Sequence, residues 1–162
     1  MRTILFLSIS TVFLFSAGCS KDDGRPKDMP KLYPVHISIT QESKPLEGAT
    51  VTLMEKTPSK YGASSGTTDV AGTVKVLTYG YEGVPAGEYA VLVKKVGTEG
   101  AKEAKTPEGM SLSVGGKSYG YVDDKFSTVN STPLSITVTD KGATETFDVG
   151  APVRTFLGNV PE

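Results

Sequence analysis

The sequence predicts an all-β sandwich, and three observations predict it. Apolar residues recur at every second position over several short runs. Turn-forming clusters separate those runs. No stretch carries a convincing 3.6-residue apolar period. The first run sets Val35, Ile37 and Ile39 against His36, Ser38 and Thr40. The second sets Val51 and Leu53 against Thr50, Thr52 and Met54, and the third Val74 and Val76 against Thr73 and Lys75. Tyr89, Val91 and Val93 then alternate with Ala90, Leu92 and Lys94, and Leu134, Ile136 and Val138 with Ser135, Thr137 and Thr139. Phe147 and Val149 close the series. Enrichment in Val, Ile and Thr suits a pleated, half-buried surface. Many short strands with turns between them indicate a sandwich. Residues 97–107 are rich in Lys, Glu and Ala and have room for a helical turn after Gly100, which Pro107 would end.

The turns have their own chemistry. Lys44-Pro45-Leu46-Glu47-Gly48, Asp69-Val70-Ala71-Gly72, Val84-Pro85-Ala86-Gly87 and Asp140-Lys141-Gly142 lie between the runs. Gly48, Gly72 and Gly87 stand where the chain reverses, and glycine tolerates φ > 0. Pro45 and Pro85 fix φ ahead of two turns. Asp69 is placed to accept from backbone donors ahead of it. Tyr89 begins a strand with a ring for the core and a hydroxyl able to reach a loop.

Ahead of these runs stands a different kind of segment. Arg2 is followed by an uncharged, mostly apolar run over residues 4–15. That run is shorter than the roughly 20 residues a membrane-spanning helix needs, and its length suits the apolar region of a signal peptide. Ser16-Ala17-Gly18-Cys19 follows and resembles the lipobox of bacterial lipoproteins, in which the cysteine is acylated and becomes the new N-terminus. The position three before the cysteine, where leucine is commonest, holds Ser16. Cys19 is the only cysteine, so no disulfide can staple the domain and the core must suffice. Ser20-Lys21-Asp22-Asp23 resembles the tag that sends some outer-membrane lipoproteins to the cell surface, so the expected location is the outer membrane, on its outer face if the tag operates. The same polar stretch also reads simply as a solvated tether. More than one acyl chain holds a protein firmly, at about 0.8 kcal/mol per buried methylene. Loss of Arg2 with the signal leaves 16 basic against 18 acidic side chains. Nothing in that balance suggests nucleic-acid binding, which needs a basic patch.

The turn motifs carry a second resemblance. Lys44-Pro45-Leu46-Glu47-Gly48-Ala49-Thr50-Val51-Thr52-Leu53 is similar to the opening of carboxypeptidase regulatory-like domains. Thr67-Thr68-Asp69-Val70-Ala71-Gly72-Thr73-Val74 resembles their Thr-Asp-x-x-Gly turn, and Val84-Pro85-Ala86-Gly87-Glu88-Tyr89 their Pro-x-Gly-x-Tyr strand entry. The three motifs cover residues 35–96 in matching order. The resemblance implies a seven-stranded, transthyretin-like (prealbumin-like, Ig-like) β-sandwich, with residues 131–149 supplying the last two strands and the motif residues acting structurally. The expected organisation is a cleaved lipoprotein signal peptide at 1–18, a flexible tether at 19–32, the sandwich at 33–150 and a C-terminal tail at 151–162.

Catalytic constellations are sparse. His36, the only histidine, falls on the polar phase of the first run and reads as a surface residue. The transthyretin-like fold also hosts a ureide-forming hydrolase with several histidines, an arginine and a Tyr-Arg-Gly-Ser tail, which this chain lacks. The Asp123-Asp124 pair and the isolated Glu82 fall short of the six to eight oxygens that calcium takes. An intramolecular isopeptide bond, as in related pilin-type sandwiches, would need a strand lysine and a facing acceptor, but Lys44 lies in a turn and the last strand offers Asp148. No catalytic residue, metal or cofactor is therefore expected beyond the covalent lipid on Cys19.

One segment stays open. Residues 106–133 read as a long loop with Gly115-Gly116-Lys117-Ser118-Tyr119-Gly120-Tyr121, then Phe126 and Asn130. Loops on rigid sandwiches carry function, and Tyr119, Tyr121 and Phe126 are the candidates for a stacking surface. The competing reading folds the three rings inward to pin the loop. The functional expectation is a lipid-anchored, non-enzymatic envelope module that binds or scaffolds a surface partner. The alternative is an accessory carbohydrate- or peptide-binding subunit of a surface enzyme or uptake system. The expected partners are the membrane, through the lipid, and an envelope protein or glycan.

Overall fold

Val35, Ile37 and Ile39 are buried and His36 between them is exposed. The same alternation buries Val51 and Leu53, Tyr89, Val91 and Val93, and Ile136 and Val138. The period-two pattern is therefore the burial pattern of an all-β sandwich. The computed structural model describes residues 24–57, 59–105 and 109–160. Its strands of three residues or more are β1 (Val35–Gln41), β2 (Thr50–Glu55), β3 (Ala63–Thr67), β4 (Thr73–Lys75), β5 (Gly87–Lys94) and β6 (Val96–Glu99). They continue with β7 (Lys102–Lys105), β8 (Ser111–Val114), β9 (Lys117–Gly120), β10 (Ser135–Val138), β11 (Ala143–Asp148) and β12 (Thr155–Asn159).

One layer has β1 at its centre. β11 lies parallel to it, with Ala143 opposite Val35 and Asp148 opposite Thr40. β4 lies antiparallel on the other side. The second layer runs in the order β10, β5, β2, β3, followed by the short Leu77–Thr78 and Tyr81–Glu82 ladders. Between the layers, Ile37, Ile39, Val51, Leu53, Val91 and Val93 fill the core. Fully burying one such side chain stabilises the fold by about 1.5–3 kcal/mol.

The chain passes from one layer to the other within a single extended stretch. Lys75 pairs with β1 in the first layer, and two residues later Leu77 pairs with Ser65 in the second. Gly66 lies beneath this crossing. A Cβ built there would sit 2.1 Å from the Lys75 carbonyl oxygen, so only glycine fits. The motif turns are locked together beside it. The Thr68 hydroxyl donates to the Leu46 carbonyl and accepts from the Ala49 amide at 2.8 Å. The Gly48 amide donates to the Thr68 carbonyl, and the Ile39 amide to the Gly72 carbonyl. Asp69 accepts from the Ala71 and Thr73 amides, both at 2.9 Å, as its position predicts. Gly48 and Gly72 have φ of 69° and 74°. Gly87 does not share this conformation: it opens β5 with its Cα facing the Tyr89 ring, so its reversal role is corrected. Tyr89 is buried, and its hydroxyl donates to the Pro85 carbonyl at 2.9 Å and meets Glu55 at 3.1 Å. Burial, then the neighbouring Glu55, pushes this phenol well above its ordinary pKa.

Four expectations are corrected. The helical turn expected within residues 97–107 is replaced by β6 and β7. The long loop at 106–133 instead holds β8, β9 and a 3₁₀ turn at Asp124–Phe126. The C-terminal tail contains β12. The tether does not run free to residue 32, because Leu32–Tyr33 pairs with Val84–Pro85 and Asp28 accepts from Tyr61 and Lys60.

β6 pairs with β9 and β7 with β8 in one continuous register. Val96 faces Gly120, Glu99 faces Lys117, Lys102 faces Val114 and Lys105 faces Ser111. The two ladders are thus one long hairpin, bent where Gly100 meets Gly115 and Gly116, all with positive φ. β12 adds a third strand at its base, beside β9. This β-arm leaves the sandwich at Lys94, the far end of β5. Glu55 lies opposite Tyr89, near the start of β5, so the loop after β2 and the Tyr79-Gly80 turn fall at the other end.

Near the root of the arm, Glu42 and Ser43 form a two-residue turn with φ of 49° and 63°, where Asn and Gly are usual. Asp148 holds it. Its carboxylate accepts from the Ser43 amide and the Thr40 hydroxyl at 2.8 Å and from the Gly150 amide at 2.7 Å.

Two outcomes test this frame. Tyr89→Phe leaves the buried Pro85 carbonyl short of a donor and is expected to cost about 1–2 kcal/mol in chemical denaturation; an unchanged midpoint would contradict the role of the hydroxyl. The backbone donors, Ser43 foremost, hold the Asp148 carboxyl below its ordinary range. Its contribution is therefore complete above the unfolded value of about 3.9 and is lost as pH falls through the lower folded value. Asp148→Asn is expected to lower Tm at neutral pH, and its deficit against wild type should shrink in strong acid. A deficit that stays constant with pH would count against the carboxylate.

Candidate binding surface

The base of the β-arm brings together the side chains that the sandwich does not bury. In its three-stranded sheet, ordered β6, β9, β12, Gly97 lies opposite Tyr119, and Tyr119 opposite Phe156. The register shifts between Ser118 and Tyr119, a bulge that strengthens the local twist. Gly97 leaves room for a neighbouring ring: a Cβ there would sit 2.9 Å from Cε2 of Tyr121. The Tyr121 hydroxyl donates to Glu99 at 2.8 Å. Arg154 forks onto the same carboxylate, with Nη2 at 2.6 Å and Nε at 3.3 Å. The Arg154 guanidinium also lies 3.7 Å from the centroid of the Tyr119 ring. Tyr119 in turn meets Phe156 edge-on at 5.7 Å.

This cluster is solvent-accessible and charged at its centre. Arg154 first, then the Tyr121 hydroxyl, holds the Glu99 carboxyl below the ordinary carboxylate range. The bond to Glu99 raises the Tyr121 phenol in return. Phe156 is 54% exposed. On the opposite face of the sheet, Val96 and Leu157 are 57% and 51% exposed and border a shallow cleft with Val93 and Val122. The arm thus presents apolar side chains on both faces, around a guanidinium stacked on a ring.

Of the three rings singled out from sequence, two meet here and one does not. Tyr119 and Tyr121 lie on β9 and just beyond it, half-buried and partnered. Phe126 is 4% exposed and belongs to the hydrophobic core, so it presents no stacking face; the 3₁₀ turn carries it inward. Asp123 caps that turn, accepting from the Lys125 amide at 2.9 Å, which gives the acidic pair a structural task. Among the described residues, no group of three or more His, Cys, Asp or Glu side chains is placed to hold a metal ion. Cys19 lies outside the described residues. Glu99, Arg154, Phe156 and Leu157 were not anticipated. The adjacent apolar pair Phe156-Leu157, inside the segment expected to be a C-terminal tail, was the signal available for this strand.

No protein-family model and no curated protein sequence matches the chain. Among solved structures, a 9R-lipoxygenase from Cyanothece PCC8801 aligns at 14% identity and a TM-score of 0.29, over 74% of this chain and 16% of that one. The chain therefore spans about a sixth of that protein, and a likeness this loose carries no argument.

Arg154 is the fastener of the cluster, so Arg154→Ala is expected to raise amide exchange severalfold across Lys117–Gly120 and Thr155–Asn159 while β2 and β5 stay protected. The wild-type arm should loosen in the same way in acid: the Glu99 contribution is complete above the ordinary Glu value of about 4.3 and is lost as pH falls through the lower folded value. Exchange that rises equally in the core would contradict a local role.

Proposed function

We propose that this chain is a lipid-anchored, non-enzymatic module of the bacterial cell envelope that holds a partner protein with its β-arm. Ser16-Ala17-Gly18-Cys19 supports the anchor, with acylation of Cys19 after removal of residues 1–18. Ser20-Lys21-Asp22-Asp23 supports placement in the outer membrane, on its outer face. The turn motifs support a carboxypeptidase regulatory-like, transthyretin-like sandwich as the rigid carrier. The observation that carries the binding function is the exposed pair Phe156 and Leu157 on β12, an edge strand of the arm. Exposed apolar side chains beside a stacked arginine have the composition of an interface centre. An edge strand also offers unpaired backbone groups to an added strand.

A glycan is the second candidate partner, and one observation weighs against it. A sugar needs an open aromatic face, and Arg154 already covers one face of Tyr119. Phe156 is then the main open ring of the cluster.

Intact mass should give a chain that begins at Cys19 and carries acyl groups, and protease treatment of whole cells should remove the sandwich. Crosslinking in cells should trap a defined partner, and Phe156→Ser with Leu157→Ser should reduce that product at least tenfold without changing Tm. Partner recovery indifferent to both substitutions would sink the arm as the binding surface. Binding on a glycan array that both substitutions abolish would replace the protein partner with a sugar.

A further inference from the structure

We infer that the end of the sandwich opposite the β-arm is a membrane-contacting surface that seats Tyr79, Tyr81 and their basic neighbours in the lipid headgroup layer. The inference rests on the acylation of Cys19 proposed above and adds an orientation to it.

The first observation is a tyrosine in an unfavourable conformation. Tyr79 and Gly80 form the turn between Leu77–Thr78 and Tyr81–Glu82, with φ of 51° and 88°. A left-handed conformation is unfavourable for a residue with a Cβ, and glycine or asparagine is the usual occupant. The core gains little from Tyr79, whose side chain is 66% exposed. A bulky ring held outward at such a site points to a role outside the fold.

The second observation is where the N-terminal segment docks. The Tyr81 hydroxyl donates to the Gly24 carbonyl at 2.6 Å, and Arg25 lies 5.4 Å from the Tyr81 ring centroid. Asp28 accepts from the Tyr61 hydroxyl at 2.9 Å and pairs with Lys60. Tyr61 meets Tyr79 edge-on at 5.2 Å, and the Tyr79 hydroxyl reaches the Lys60 carbonyl at 3.3 Å. Residues 24–28 and the three tyrosines therefore form one cluster. Only five residues' travel separates Cys19 from Gly24, at most about 18 Å even when fully extended. An acyl chain on Cys19 thus brings this end of the sandwich, and no other, to the bilayer surface.

The third observation is chemical fit. Tyrosine concentrates at the membrane interface because its ring is apolar and its hydroxyl polar, and lysine and arginine stems lie along apolar surface with their charges in the headgroups. Arg25, Lys27 and Lys60 supply those stems. Asp28, Glu55 and Glu88 lie at the same end, so the surface is not strongly basic. The contact thus depends on tyrosine rings more than on anionic lipid. The consequence for function is geometric: the β-arm, at the far end, points away from the membrane.

The chain has no tryptophan, so single substitutions report cleanly. The full lipidated protein carrying Tyr79→Trp, reconstituted in phosphatidylethanolamine–phosphatidylglycerol vesicles with acyl-brominated lipid, should lose at least half its fluorescence. Phe156→Trp on the arm should lose none. In the unsubstituted protein, vesicles should shield Lys60 and Lys27 from amine acylation and leave Lys102 and Lys117 reactive. Protein that floats with vesicles and carries the acyl mass, yet shows neither quenching nor shielding, overturns the orientation and leaves the anchor standing. Protein without acyl mass that fails to float overturns the anchor, and the orientation with it.

Discussion

The buried hydroxyl of Thr68 ties together turns that approach from different parts of the chain, and much of the fold depends on it. It binds the Leu46 carbonyl and the Ala49 amide at once, while the Thr68 backbone binds Gly48 and Ala49. A buried hydroxyl is stabilising only when its partners are in place. The turn before β2 and the turn before β4 therefore have one mutual arrangement. Through the Ile39 to Gly72 hydrogen bond, that arrangement also sets the height of β1. The crossing between layers follows at once, with Gly66 under the Lys75 carbonyl.

From this centre the molecule is polar in the geometric sense. One end carries the Thr68 junction, the Glu42-Ser43 turn and the root of the β-arm. Gln41 reaches across to the Tyr121 carbonyl at 3.0 Å, so the arm is joined to β1 as well as to β5. The other end carries the loop after β2, the Tyr79-Gly80 turn and the docked N-terminal segment. A rigid two-layer core keeps these ends apart. Hydrophobic burial alone supplies this separation, since the single cysteine of the sequence leaves no disulfide to do so, and the proposed function makes use of it.

The core was legible in the sequence residue by residue, because burial on one face of a strand imposes a period of two. Val35, Ile37, Ile39, Val51, Leu53, Tyr89, Val91 and Val93 all fall where the alternation puts them. The turn chemistry of Asp69, Gly48 and Gly72 was legible for a local reason, since it depends on one residue's φ or one short side chain. Tyr89 was legible in both respects. The β-arm was not. Lys102–Lys105 carries no clear apolar alternation, and its Lys, Glu and Ala content reads as helix; Ser111–Val114 alternates only over Leu112 and Val114, too short a run beside Gly115-Gly116 to stand out from a loop. Phe126 follows the inward, loop-pinning reading and not the stacking one, and sequence could not choose between them for the complementary reason: a lone aromatic in a Gly- and Ser-rich segment gives no sign of whether a 3₁₀ turn will carry it inward.

The sequence by itself determined the all-β class and which faces are buried, and it holds the Ser16-Ala17-Gly18-Cys19 run on which the proposed anchor rests. These are local or periodic properties, written within a few residues of one another. Tertiary structure alone decided that Arg154 would fork onto Glu99, 55 positions away, and stack on Tyr119. It also decided that Tyr81 would meet Gly24 across 57 positions. Such pairings depend on strand register and on which layer each strand joins, and neither leaves a trace in the spacing of residues along the chain.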